Sequence, residues 1–250
     1  MALVLLGLTG CRGGAPKSLA ATPPSPAQTP TLPPLVRVYR PPELEAWDEP
    51  LAACATAGPV LLAIESFDHS DGAWSLHWGD PPADQAPAYA VGKDGWALLL
   101  HADNPLARIP AEAWPTLWRD PSFTWALLDE KAASLPPPAP VVPPPDRALG
   151  RALRASVGGD VDVHPRARLA PAPAIAVRAV AQEPGALALV PRRWLTWARE
   201  AHPDLPWEAV RELIPPAVPD WQADVVLTAP HSPPDAAQRW VRCIQNLGEP

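Results

Sequence analysis

Residues 95–125 read GWALLLHADNPLARIPAEAWPTLWRDPSFTW, and the fold class follows from them. The run 95–101 is apolar almost throughout, which predicts a strand covered on both faces. Asp103-Asn104-Pro105 then stops it, because Asn before Pro is a turn and helix-start signal. A short helix is predicted over 109–119, with Glu112 in its first turn and Trp114 and Trp118 along it.

Toward the N-terminus, LVRVY at 35–39 alternates as a strand does. Pro41-Pro42 opens a helix, since Pro suits the first helical turn. Glu43, Glu45 and Glu49 add negative charge where the helix dipole favours it. Leu44, Trp47, Leu51 and Cys54 recur at spacings of three and four, one apolar face; Pro50 is predicted to kink this helix and Gly58 to end it. PVLLAI at 59–64 reads as a strand buried on both faces. AWSLHW at 73–78 reads as an alternating strand ending in the turn Gly79-Asp80-Pro81-Pro82. Strand, helix, strand with such apolar runs indicates an α/β fold with a mostly parallel sheet flanked by helices.

Toward the C-terminus, 136–145 is Pro-dense and predicted to run extended. Asp146 is the expected cap of a helix over 147–157. A further helix is predicted over 173–182, stopped by Pro184-Gly185. Strands follow at 186–190 (ALALV) and 225–228 (VVLT). A last helix, 234–247, buries Ala237, Trp240, Val241 and Ile244. The middle, about 102–184, is helical and Pro-rich, which predicts two lobes: 35–101 with 186–250 as one, 102–185 as the other.

The first eight residues, MALVLLGL, are uncharged and apolar, and Leu8-Thr9-Gly10-Cys11 follows. An apolar core followed by small residues is how an export signal ends. LTGC fits the lipobox, in which the Cys thiol takes a lipid, so Cys11 is the expected lipidation site. The run is short and lacks a preceding Lys or Arg, so the signal is expected to be longer than this run. It is also too short to span a bilayer, which takes about 20 residues. Residues 12–34 are rich in Pro, Ala, Ser and Thr without apolar periodicity and read as an extended spacer. The expected location is the extracytoplasmic face of the cell membrane, lipid-anchored.

Twenty basic against twenty-seven acidic residues leave a net charge of −7, with no basic patch, so nucleic acid is not an expected partner. Twelve Trp against two Phe and two Tyr make Trp the main aromatic core anchor or cleft wall. With Cys11 lipidated, Cys54 and Cys243 remain. Outside the cytoplasm they are able to form a disulfide; otherwise they are two small buried residues on separate helices. No CxxC, HExxH or clustered His is present, so neither metal nor cofactor is expected. His101 and Asp103 share a turn and by themselves make a surface turn rather than an ion site. No GxSxG, no Cys–His pairing and no phosphate loop occurs, and whether folding arranges isolated carboxylates such as Asp68 and Asp71 is not written in one sequence, so an enzyme is not the expected reading.

The order of these elements resembles the solute-binding lipoproteins of phosphate-transporter type. In them an apolar strand, an Asp-Asn-Pro-Leu turn, a short helix and a Trp follow one another, as His101 to Leu106, Trp114, Trp118 and Trp125 do here. AVAQEPGALALVPRRWL, 179–195, is similar to the family's return segment, and the lipobox and spacer accompany many such receptors. The resemblance implies a two-lobed type 2 periplasmic-binding-protein fold, a small-molecule solute held in the cleft, an ABC transporter permease as partner and a monomeric state. A degenerate member acting as a surface interaction or sensory module is the alternative. Ligands of open α/β sheets sit beyond the carboxyl ends of strands. Tyr39, Arg40, Trp78, Gly79, Asp80 and Asn104 are therefore expected at the cleft, with Arg147 facing them from the other lobe. The Ser-Gly-Thr type segment of phosphate binders is replaced by Asp146-Arg147-Ala148-Leu149-Gly150-Arg151. The implied ligand is thus a small, anionic solute rather than phosphate specifically.

Overall fold

A computed structural model describes residues 32–58, 60–66, 73–81, 87–159, 164–214 and 222–248. Cys11, most of the spacer, Pro59, Asp68, Asp71 and Pro82 lie outside the described residues. Strand β4 (Ala88–His101) organises the fold. Its first half pairs antiparallel with β9 (Gln222–Thr228), from Ala88 opposite Thr228 to Gly95 opposite Gln222, with a bulge between Ala90 and Gly92. From Trp96 onward it pairs with β7 (Ala186–Pro191) on one side and, from Leu98, with β8 (Val210–Leu213) on the other.

Beyond β9 lie β3 (Trp74–Trp78), β1 (Leu35–Tyr39) and, at the edge, β2 (Leu61–Glu65). Beyond β7 lie β5 (Ala139–Val142) and β6 (Arg168–Leu169). The pairs β1–β2, β1–β3, β5–β6 and β5–β7 are parallel; those around β4 and β9 are antiparallel. The result is a mixed, curled sheet in two halves that share β4. The strand predicted at 186–190 is β7, which pairs antiparallel with β4 and parallel with β5, setting Ala186 and Ala188 opposite Ala139 and Val141.

The apolar run of β4 conceals a period of two. Trp96, Leu98 and Leu100 join one core with Leu187 and Leu189, whereas Ala97 and Leu99 join a second core with Ala188 and Val190. Helices cover both faces: α6 (Asp235–Gly248) packs on one side, and α4 (Pro173–Gln182) and α5 (Arg192–Ala201) serve the second core. A fully buried Leu on such a strand contributes about 1.5–3 kcal/mol. On α6, Ala237, Trp240, Val241 and Ile244 are buried as predicted. Trp240 Nε1 donates to the Leu51 carbonyl at 3.1 Å, and Cys243 forms a disulfide with Cys54 of α1 (Asp48–Ala57). The two cysteines on separate helices are therefore one bridge, Cys54 buried and Cys243 partly so.

Several local readings are corrected. Pro50 does not kink α1: it lies in the first turn, where its missing N–H leaves no bond unmade, and a 3₁₀ segment, Pro42–Trp47, precedes it. β2 is not covered on both faces; it is an edge strand with Leu61 half exposed. Asp146 does not cap α3 (Ala148–Ser156): the cap position is Arg147, without a side-chain bond. The helix expected over 109–119 is a 3₁₀ turn at Ala111–Ala113 and then α2 (Trp114–Arg119). No helix among the described residues is long and apolar enough to cross a membrane.

Candidate functional site

β1 and β3 run parallel with Val38 beside Trp74 and Tyr39 beside Ser75, so β1 ends while β3 continues past it to Trp78. A cleft of about 340 Å³ opens there. Tyr39, Glu43, His77 and Trp78 line one wall, and Arg147 and Arg151 at the start of α3 line the other.

Arg147 and Arg151 are four residues apart, one helical turn, and so share a face of α3. Arg147 Nη1 donates to the phenol oxygen of Tyr39 at 2.9 Å, and Arg151 Nη1 donates to the Asp146 carbonyl. Both cations are thus aimed at the cleft mouth from a helix start, an arrangement suited to a negative ligand group. Glu43, one residue into the 3₁₀ segment, is buried at 5 % exposure. Burial pushes its carboxyl up from the usual range, against its own backbone amide and the positive charges of Arg147, Arg151 and Arg40. Its Oε1 has no hydrogen-bond partner among the described residues.

His77 Nε2 lies 3.1 Å from the Thr228 hydroxyl, which anchors the imidazole to β9. Trp78 stacks on Trp96 with centroids 4.3 Å apart, so the end of β3 is fixed to the point where β4 changes partners. Gly79 then takes φ +73°, a conformation that favours Gly, and donates to the Asp224 carbonyl at 2.7 Å.

Of the residues expected at the cleft, Tyr39, Trp78 and Arg147 are brought together. Arg40 turns inward instead and makes a two-pronged ion pair with Asp48, at 2.9 and 2.8 Å. Gly79 and Asp80 lie in the turn beyond the lining residues. Asn104 is buried elsewhere: its Oδ1 accepts from the Leu106 amide at 3.1 Å and its carbonyl from Arg211 Nε at 2.8 Å, so it holds the turn after β4. Glu43, His77 and Arg151 were not anticipated. Arg151 carries a readable signal, its spacing of four from Arg147; Glu43 reads in sequence only as a helix-start acid. His101 and Asp103 form a turn in which the Asp103 amide donates to His101 Nδ1 at 3.1 Å. Among the described residues no group of three or more His, Cys, Asp or Glu is placed to hold a metal ion.

No family profile matches the chain, and no curated protein matches it. Solved structures do. A Clostridium perfringens structure described as a candidate phosphate ABC transporter substrate-binding protein with bound phosphate superposes with TM-score 0.67 at 13% identity, covering 84% of this chain and 92% of that one. A Vibrio cholerae ABC-type phosphate transport receptor gives 0.58 at 10% identity, covering 84% and 93%. A sulfate-bound mutant of the OxyR2 regulatory domain of Vibrio vulnificus gives 0.63 at 10% identity, covering 88% and 99%. These neighbours are binding proteins and regulatory domains. At such identities the likeness is one of fold: the chain has a type 2 periplasmic-binding-protein-like α/β fold.

Proposed function

We propose that this chain is an extracytoplasmic, lipid-anchored solute-binding protein that presents a small anionic ligand to an ABC importer. The observation that carries the reading is the pair Arg147 and Arg151, aimed from the start of α3 into a cleft at the carboxyl ends of β1 and β3. The fold neighbours that bind phosphate or carry sulfate support an oxyanion as the class of ligand. In this reading Tyr39, Glu43 and Trp78 belong to one lobe and Arg147 and Arg151 to the other, and closure of the lobes encloses the ligand. Cys11 carries the lipid and the Pro-rich segment spaces the body from the membrane.

A thermal-shift panel of oxyanions, organic acids and amino acids tests it. A ligand at 100 times its dissociation constant stabilises the folded state by about 2.7 kcal/mol. No shift with any member, in a folded sample, overturns the reading. Anchoring is tested separately: Cys11→Ala moves the protein from the membrane fraction to the soluble one.

The second reading is a surface or sensory module on the same fold. The likeness to OxyR-type regulatory domains favours it, as does the absence of hydroxyl side chains from the first turn of α3. A gene with no transporter permease beside it, together with an unresponsive thermal-shift panel, selects this alternative.

A further inference from the structure

The buried carboxyl of Glu43 is only partly satisfied by the groups around it. It lines the same cleft as Arg147 and Arg151, yet neither arginine is hydrogen-bonded to it: Arg147 holds Tyr39 and Arg151 holds a backbone carbonyl. One of its oxygens is buried and unpartnered among the described residues. A buried carboxylate is costly, and here its own backbone amide and the neighbouring positive charges offset that cost only in part.

The charges around Glu43 can be followed element by element. Arg40 precedes it and is neutralised by Asp48 of α1. Across the cleft stand Asp146, Arg147 and Arg151, with Tyr39 and His77 on Glu43's own wall. α5 packs on the 3₁₀ segment through Arg193, which lies over the Trp47 ring at 4.2 Å, and through Trp194, whose indole N–H meets Glu45. β7, also against this segment, carries no titratable side chain. With Glu43 ionised, Arg147 and Arg151 are balanced by Glu43 and Asp146, and the cleft by itself is neutral. An anion settling on the two arginines removes the compensation that Glu43 relies on and adds repulsion.

We propose that the cleft takes a small, fully ionised oxyanion together with one proton, the proton residing on Glu43. This rests on the cleft being the ligand site. The ligand binds as the anion, the proton comes from solvent onto a Glu43 oxygen, and the charge of a bound monoanion is cancelled. The direction of the Glu43 shift agrees with this, because burial already favours the neutral acid. A protonated carboxyl donates a hydrogen bond and an ionised one accepts. The favoured class is therefore an oxyanion with no proton of its own at neutral pH, such as a sulfate, sulfonate or carboxylate. A zwitterion, whose ammonium would need Glu43 ionised between arginines, is disfavoured.

The test is calorimetry of sulfate binding between pH 5 and 8 in buffers of different ionisation enthalpy. Sulfate does not titrate in that range, so any proton taken up belongs to the protein. The expected result is uptake approaching one proton and an affinity that falls with rising pH, at most tenfold per pH unit. Glu43→Gln is expected to abolish the uptake, flatten the pH dependence and bind sulfate more tightly than the wild type at pH 8. Binding without proton uptake overturns the inference and leaves the proposed function standing. Uptake that persists in a folded Glu43→Gln protein assigns it to another group such as His77 and also overturns it. Tighter binding of glycine than of sulfate overturns it in favour of an ionised Glu43. Failure of every probe to bind overturns the proposed function itself. The wild-type measurement needs no variant, so it decides even if Glu43→Gln folds poorly.

Discussion

The phenol oxygen of Tyr39 accepts a hydrogen bond from Arg147 Nη1 at 2.9 Å, joining the last residue of β1 to the residue that opens α3 across 108 positions of sequence. It ties one wall of the cleft to the other and sets the direction of a guanidinium that would otherwise be free to swing. Removing the hydroxyl with Tyr39→Phe is expected to cost about 0.5–1.5 kcal/mol in unfolding free energy. Arg147→Ala is expected to lower the affinity for whichever anion stabilises the protein by tenfold or more, about 1.4 kcal/mol, by calorimetry. An Arg147→Ala protein that binds as tightly as the wild type removes this arginine from the site.

The bridge between Cys54 and Cys243 closes a loop across 189 residues. On the chain-entropy account such a loop stabilises by about 5 kcal/mol. Reduction, or Cys54→Ala with Cys243→Ala, should therefore lower the denaturation midpoint in urea by an amount equal to about 2–5 kcal/mol, with the same spectrum in the folded state. A midpoint that does not move would show the bridge to be incidental to stability.

Asp94 stands one residue before β4 passes from β9 to β7, accepting the amides of Gly95 at 2.7 Å and Arg193 at 3.0 Å. Burial pushes its carboxyl up to about 6 from 3.8, against those amides and the charges of Arg193 and Arg192. The folded state then holds the proton more tightly than the unfolded one. The stability that this group contributes is present below pH 3.8 and is lost as pH climbs through about 6. Two pKa units correspond to about 3 kcal/mol at most. Asp94→Asn keeps an acceptor oxygen for both amides and removes the titration. Its advantage over the wild type should grow by about 1–3 kcal/mol between pH 4 and 7 in chemical denaturation. A constant difference across that range contradicts the assignment.

Gly150, in the first turn of α3, lies against the backbone of Pro144 and Pro145, where a Cβ would collide with the Pro144 carbonyl. Nothing flexible is available to yield, so α3 must move. Gly150→Ala is expected to destabilise by about 1–3 kcal/mol and, by shifting Arg147 and Arg151, to weaken anion binding as well. Unchanged stability and binding together would mean that α3 has freedom at its start.

Where one rule governed a segment, the sequence was legible. Helix 173–182 begins at a Pro and ends at the residue before Glu183-Pro184, and its observed bounds, Pro173–Gln182, coincide with the prediction. The Ala237, Trp240, Val241 and Ile244 face was equally plain. Legibility failed where tertiary pairing decides. AYAVGKD, 88–94, has no clean alternation and carries a bulge, so its extension of β4 is visible only once β9 lies beside it. α5 buries Trp194, Leu195 and Ala198 but opens directly from β7 at Pro191, with no loop to mark the change. At the site, Tyr39 and Trp78 were reachable from the rule that ligands lie beyond strand ends, and Arg147 from its place at a helix start. Glu43 was not, because an acid near a helix start ordinarily faces solvent, and only the fold shows it buried.

β4 is hydrogen-bonded along its first half to β9 and along its second half to β7 and β8. One strand is therefore the scaffold of both hydrophobic cores, and neither can dissolve without stripping the other of its central partner. The folding unit is the whole body rather than either lobe. Calorimetric melting should show a single cooperative transition, and the slowest-exchanging amides should run unbroken through Leu98, Leu99 and Leu100. Ligand entry to the cleft is then expected to leave the β4 ladder intact, so that amide exchange at Leu98 to Leu100 is not quickened by ligand.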